Sequence, residues 1–143
     1  MMRKRYIWQT LPFEYFFTDE FRKPKYKGNP NPYVGHCYVA CEVLFHLDPG
    51  RYSSYYIFHE NEPHWFLKDK YSGEIIDPTY KQFKTLVPYD KGIGKGFLTK
   101  RQSKRTRQII ENLKLYLLDQ LHKQHENQLP DANQATKQEA IIE

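Results

Sequence analysis

The stretch PYVGHCYVACEVLFH, residues 32–46, carries the chain out of a proline- and glycine-bearing loop into an apolar helical pattern, with Cys37 at the junction. Cys37, Ala40, Cys41, Leu44 and Leu47 recur at three- and four-residue steps, the spacing of one helix face. The run Asp48-Pro49-Gly50 stops that helix. Upstream, KPKYKGNPNPYVGH (residues 23–36) holds three prolines and two glycines, which predicts an extended loop without regular structure. Cys37 therefore belongs to the first turn of a helix.

Three short β-branched or aromatic runs follow: SSYYIFHE (53–60), HWFLKDK (64–70) and GEIID (73–77). Turn-forming residues separate them, so they read as an antiparallel meander. The fold class is α+β, with the Cys37 helix packed on a small antiparallel sheet and a long helix at the carboxyl end. That last helix starts at Ser103, a capping residue, and presents Ile109, Ile110, Leu113, Tyr116 or Leu117, and Leu121 as its packing stripe. TLPFEYFFTDEFR (10–22) predicts a short, irregular helix with Pro12 in its first turn. Residues 78–100 predict a helical turn or strand leading into a glycine-punctuated loop. The expected organisation is a single α+β domain over 1–125 and a disordered polar tail over 126–143.

The 143 residues are enough for one core without disulfides or metals. Cys37 and Cys41, the only cysteines, are one helical turn apart and do not bridge distant segments. The chain lacks a long apolar run and a signal peptide, so no membrane association and a cytoplasmic location are expected. Aromatics make up 16% of residues, with 12 Tyr, and the net charge is +5, which favours an anionic partner.

A thiol in the first turn of a helix sits among unpaired N–H groups that favour negative charge. Its own amide is a ready oxyanion donor. A nucleophilic cysteine also needs a base, and His64 opens a strand. If DKYS (69–72) forms the turn, Lys68 pairs with Gly73 and His64 falls opposite Asp77, with Trp65 opposite Ile76 on the other face. A carboxylate opposite an imidazole fixes its tautomer and stabilises imidazolium, leaving the second nitrogen for sulfur. Cys41, one turn deeper, reads as core.

These residues resemble the core of transglutaminase-like thiol enzymes within the broad papain-like group: a cysteine at a helix start, HW on a strand, and GEIIDPT on the next. The likeness covers residues 31–79. It implies Cys37 as nucleophile, His64 as general base and then acid, and Asp77 as the residue orienting His64. Asn31, six residues before Cys37, and Tyr33 are the implied side-chain oxyanion donors. No cofactor is implied, and without an acidic calcium loop hydrolysis of an amide, isopeptide or thioester is favoured over cross-linking. GHCYVA and IDPT are also similar to fragments of small phage proteins.

Two other readings use the same residues differently. Zinc could draw on Cys37, Cys41 and His64 with His36 or His59, although the cysteine spacing is not that of a metal knuckle. The segment KGIGKGFLTKRQSKRTR (91–107) holds seven Lys or Arg and no acid. Its Lys100, Arg101, Lys104, Arg105 and Arg107 form a candidate anion-binding strip for an acidic protein or peptide, or for nucleic acid. A non-catalytic binding module, or a phage-borne inhibitor, would use that strip and the aromatic surface alone. Cations at a helix start also oppose the helix dipole, so some other feature must favour them.

Overall fold

The structure, a computed structural model, describes residues 12–97 and 101–128. Its helices are α1 (Phe13–Phe16), α2 (Cys37–Leu47) and α3 (Lys104–Gln128). Its strands are β1 (Tyr52–His59), β2 (Glu62–Asp69), β3 (Ile75–Ile76) and β4 (Ile93–Gly94). They form one antiparallel sheet in the order β3-β2-β1-β4. The fold is α+β, as read from the sequence, with a β1-β2-β3 meander. β4 is the addition: two residues, one of them a glycine, give no alternation to read.

β1 and β2 are joined by the two-residue turn Glu60-Asn61, with φ of 49° and 62°. Two positive φ angles in succession match the right-handed twist of the strands. Glu60 is costly there, by about 1 kcal/mol. Its carboxylate offsets this by accepting the Thr85 hydroxyl and the N–H groups of Lys84 and Thr85.

The sheet is apolar on both faces because residues of period two alternate sides. Trp65 and Leu67 of β2 join Tyr52, Ile76 and the α2 residues Cys41 and Leu44 in one cluster. Phe66 and Ile57 join Val87, with Phe83 and Tyr89 at the edge, in the other. A fully buried side chain such as Leu67 or Phe66 contributes about 2–3 kcal/mol. α2 is covered more completely than one face would require, since every residue from Val39 to Leu44 is buried.

One of those residues is Glu42. Its Oε1 accepts the Ser103 N–H at 2.6 Å, while the Ser103 hydroxyl accepts the Thr106 N–H inside the first turn of α3. A buried carboxylate beneath a helix start complements its dipole. It accounts for the cations Lys104, Arg105 and Arg107 being tolerated there. Ile109, Ile110 and Leu113 are buried as expected, but Leu121 is exposed. The chain divides into two compact units, one up to Ile110 and one from Glu111 onward, the second described by the outer turns of α3. α3 runs through Gln128, and most of the expected tail, 129–143, lies outside the described residues, as do Thr10 and Leu11 of the expected first helix.

Before Cys37 the chain is irregular, as expected, apart from short 3-10 turns at Asp19–Phe21 and Pro24–Tyr26. The buried Arg22 holds it in place. Its guanidinium donates to the carbonyls of Asn29 and Asn31 and to the Asp19 carboxylate. His36, also buried, directs Nδ1 at the Pro32 carbonyl and Nε2 at the Thr18 carbonyl, 2.8 and 2.9 Å away. Gly35, at φ +82°, lies against Tyr26, where an added Cβ would stand 2.7 Å from the Tyr26 Cβ. Gly28 has nearly the same φ, +83°, in open space.

These two glycines make a matched test. Gly28→Ala carries only the left-handed backbone penalty, about 1 kcal/mol, whereas Gly35→Ala adds overpacking and should lose about 2–4 kcal/mol in urea denaturation. Equal losses would mean that Tyr26 yields without cost.

Candidate active site

α2 begins at Cys37 because Gly35 and His36 turn the chain and the apolar run starts there. The His36 carbonyl accepts the Ala40 N–H, and the Cys37 amide donates to no backbone carbonyl among the described residues. The half-buried thiol lies 4.0 Å from the Pro63 carbonyl oxygen on β2. His64, the next residue, is fully buried. β3 pairs only with Leu67 and Lys68, so this end of β2 has no β3 residue beside it.

The β2-β3 register differs from the one expected. Leu67 pairs with Ile76 and Lys68 with Ile75, so the loop is Lys70–Gly73 and His64 is not directly opposite Asp77, nor Trp65 opposite Ile76. The cause is Asp69. Rather than entering the turn, it ends β2 and caps the loop, its Oδ1 accepting the Tyr71 and Ser72 N–H groups and its Oδ2 accepting from Arg51. Gly73 then takes the left-handed position, at φ +74°. The offset is two residues, which preserves the face of every side chain. Asp77 thus stays on the His64 side, and His64 Nε2–H donates to Asp77 Oδ2 at 2.7 Å.

Two further donors hold that carboxylate. The Tyr89 hydroxyl donates to Oδ2 at 2.7 Å and the Thr79 N–H to Oδ1 at 3.2 Å. With Nε2 committed to Asp77, the other ring nitrogen faces Gln82, whose Nε2 is 3.4 Å from Nδ1. Phe83 stands edge-on to the imidazole at 4.7 Å.

Burial by itself pulls the His64 pKa down. The hydrogen bond to Asp77 and the contact with Cys37, followed by the charges of the same two groups, outweigh it and raise the pKa from 6.5 to about 9. His64 is therefore imidazolium at neutral pH. Burial, then the bond to Asp77, pushes the Tyr89 phenol far above its ordinary value, so it remains a proton donor to the carboxylate. Burial, then the charges of Asp77 and Cys37, pushes the Cys41 thiol well up, which keeps it protonated and inert.

Cys37 opens onto a cleft of about 400 Å³. Tyr26, Tyr38, Trp65 and Phe83 form apolar walls, with Gln82 beside them. Charges of both signs also line it. Glu60 is engaged as described, Glu62 accepts the Tyr26 hydroxyl, and Arg105 donates to the Phe21 carbonyl, which leaves Lys23 exposed.

The remaining candidates fall elsewhere. Asn31 donates its amide to the Lys81 carbonyl at 3.2 Å and accepts the Tyr33 N–H, so it staples two loops instead of facing the thiol. The Tyr33 ring packs on Phe13. Neither is among the described residues lining the cleft. Of the basic strip, Lys104 and Arg107 are exposed, Arg105 is spent on Phe21, Arg101 is exposed with interactions of its own, and Lys100 lies outside the described residues. The alternative zinc set is not assembled: His36 is bound to two carbonyls and His59 bonds Thr85. Among the described residues no three His, Cys, Asp or Glu are grouped to hold a metal ion, and no helix is long and apolar enough to cross a membrane.

Sequence reading did not find Thr79, Gln82 or Tyr89. Thr79 completes the IDPT fragment and was within reach, since Asp followed two residues later by an N–H donor is the pattern of an Asx turn.

The raised His64 pKa has a stability consequence. Its folded value exceeds the unfolded one, so its contribution is fully present below about pH 6.5 and is lost as pH rises through about 9. Comparison of wild type with His64→Gln by urea denaturation should show a wild-type advantage at pH 6 that shrinks by up to about 3 kcal/mol at pH 9.5. Asp77 and Cys37 are the charged partners of the group, and an advantage independent of pH would mean that they do not hold the imidazolium.

No protein-family model, curated protein or solved structure matches this chain.

Proposed function

We propose that this protein is a cysteine-dependent hydrolase or acyltransferase acting on an amide, isopeptide or thioester carbonyl through Cys37, His64 and Asp77. The observation that carries the reading is the buried 2.7 Å bond between His64 Nε2 and Asp77, which leaves the other edge of an imidazolium beside a thiol at a helix start. A structural histidine needs no second, charge-stabilising arrangement of this kind next to an accessible cysteine. The likeness to transglutaminase-like and papain-like thiol enzymes belongs to this proposal.

In the proposed reaction the Cys37 sulfur, as thiolate, adds to the carbonyl carbon, and the carbonyl electron pair moves to oxygen. The Cys37 N–H donates to that oxyanion. Collapse expels the amine or thiolate, which takes the proton from His64 Nδ1, and a thioester to Cys37 remains. Water, or an acceptor amine, then attacks the thioester while His64 takes its proton, and collapse of that adduct breaks the carbon–sulfur bond, releasing the acid or new amide and restoring the Cys37 thiolate beside the imidazolium. Asp77 holds the ring and its charge throughout, without accepting the proton. Hydrolysis is the favoured outcome. An acidic protein or peptide is the proposed substrate, on the strength of Lys23 at the cleft and exposed Lys104 and Arg107. A free thiol nucleophile suits a reducing compartment, so the cytoplasm is the proposed location.

Iodoacetamide labelling followed by mass spectrometry tests the thiol directly. Cys37 should be alkylated while buried Cys41 is spared, and His64→Ala should slow the reaction at pH 6–7 by about tenfold or more. A Cys37 rate equal to that of the unfolded chain and indifferent to His64 would overturn the proposal and leave a binding module. Cys37→Ala should abolish turnover of any substrate found while leaving the urea midpoint nearly unchanged.

A further inference from the structure

An oxyanion formed on a carbonyl attacked by Cys37 needs a second donor besides the Cys37 amide. Asn31, the candidate by sequence position, is not among the described residues lining the cleft, and its side-chain amide donates to the Lys81 carbonyl. That carbonyl belongs to the residue just before Gln82. The Gln82 N–H in turn donates to the Thr79 carbonyl at 3.0 Å, so the backbone is held by hydrogen bonds at Gln82 and at the residue before it.

The Gln82 side chain lies where a donor is needed. It lines the same cleft as Cys37 and approaches the imidazole at Nδ1, the edge that serves the thiol, because Nε2 is taken by Asp77. Its Nε2 carries two N–H groups, of which a neutral imidazole can accept one and the imidazolium none. Its Oε1 is buried with no hydrogen-bond partner among the described residues. A carboxamide with a 3.4 Å contact at one end and nothing at the other gains little for the fold, and leaving a buried polar atom unpaired costs about 1–3 kcal/mol. The group is better accounted for by what enters the cleft.

We infer that Gln82 is a catalytic residue, donating its side-chain N–H to the oxyanion that the Cys37 N–H stabilises from the other side. The inference rests on the thiol-enzyme reading and adds one donor to it. The balance of the addition step is unchanged: the carbonyl electron pair moves to oxygen, and two N–H groups share the charge without transferring a proton.

Two probes of the same thiol separate this role from the others. Alkylation by iodoacetamide is a displacement that forms no oxyanion, whereas acylation by p-nitrophenyl acetate passes through one. Gln82→Ala and the neutral, near-isosteric Gln82→Met, which has no N–H to give, should both slow acylation of Cys37 by about 10²-fold. Their alkylation rates should stay within about twofold of wild type, a result that also shows the site is folded. Acylation indifferent to both substitutions would overturn the inference while leaving the reactive thiol standing. A parallel loss in both reactions would overturn it too, because Gln82 would then act only by positioning His64. A wild-type thiol inert to both probes would instead remove the underlying thiol-enzyme reading.

Discussion

The Asp77 carboxylate is the point on which this structure turns. A buried charge is tolerable only when its lone pairs are taken by well-placed donors. Here they come from His64 on β2, from Thr79 in the turn after β3, and from Tyr89 in the segment that returns toward β4. One side chain therefore joins the strand that carries the imidazole to two segments with almost no regular hydrogen bonding of their own. Removal of such a partner typically costs 3–5 kcal/mol, comparable with a large part of a small domain's net stability. Fold and site electrostatics are one arrangement, and neither could be altered alone.

The same economy governs α2. An isolated helix of eleven residues is marginal in water, so its persistence depends on what surrounds it. Cys41 and Leu44 rest on Trp65, Leu67 and Ile76, while Glu42 reaches the start of α3. The helix is fixed along its length, and its first turn holds the half-buried Cys37 in a place that a freer helix would let fray.

How much of this was legible depended on whether a residue's role followed from local pattern. The helix start at Cys37, the three strands of the meander and the Ser103 cap all rest on spacing or turn chemistry within a few residues. His64 and Asp77 were brought to one face by a register that was wrong by two, and an even error is harmless because side chains alternate with period two. Asp69 looked like a turn residue because aspartate usually is one; its bond to Arg51 draws it into the strand instead, and no local signal reports a partner eighteen positions away. Tyr89 is one of many tyrosines on an irregular segment, and only the folded chain distinguishes it. Asn31 shows the opposite failure, since its sequence offset from Cys37 fits an oxyanion donor but its amide is turned to the Lys81 carbonyl and it is not among the described residues lining the cleft. The basic strip likewise read as one surface, although Arg105 serves the backbone of Phe21.

Arg22 gives the loop before Cys37 an unusual kind of order. Few backbone ladders run through residues 23–36; the carbonyls of Asn29 and Asn31 converge on a single guanidinium instead. Segments anchored at one centre do not loosen residue by residue but open together when that centre lets go. The direction in which Cys37 points is thus a cooperative property of the whole segment, set by a side chain fifteen residues upstream that is not among the described residues lining the cleft.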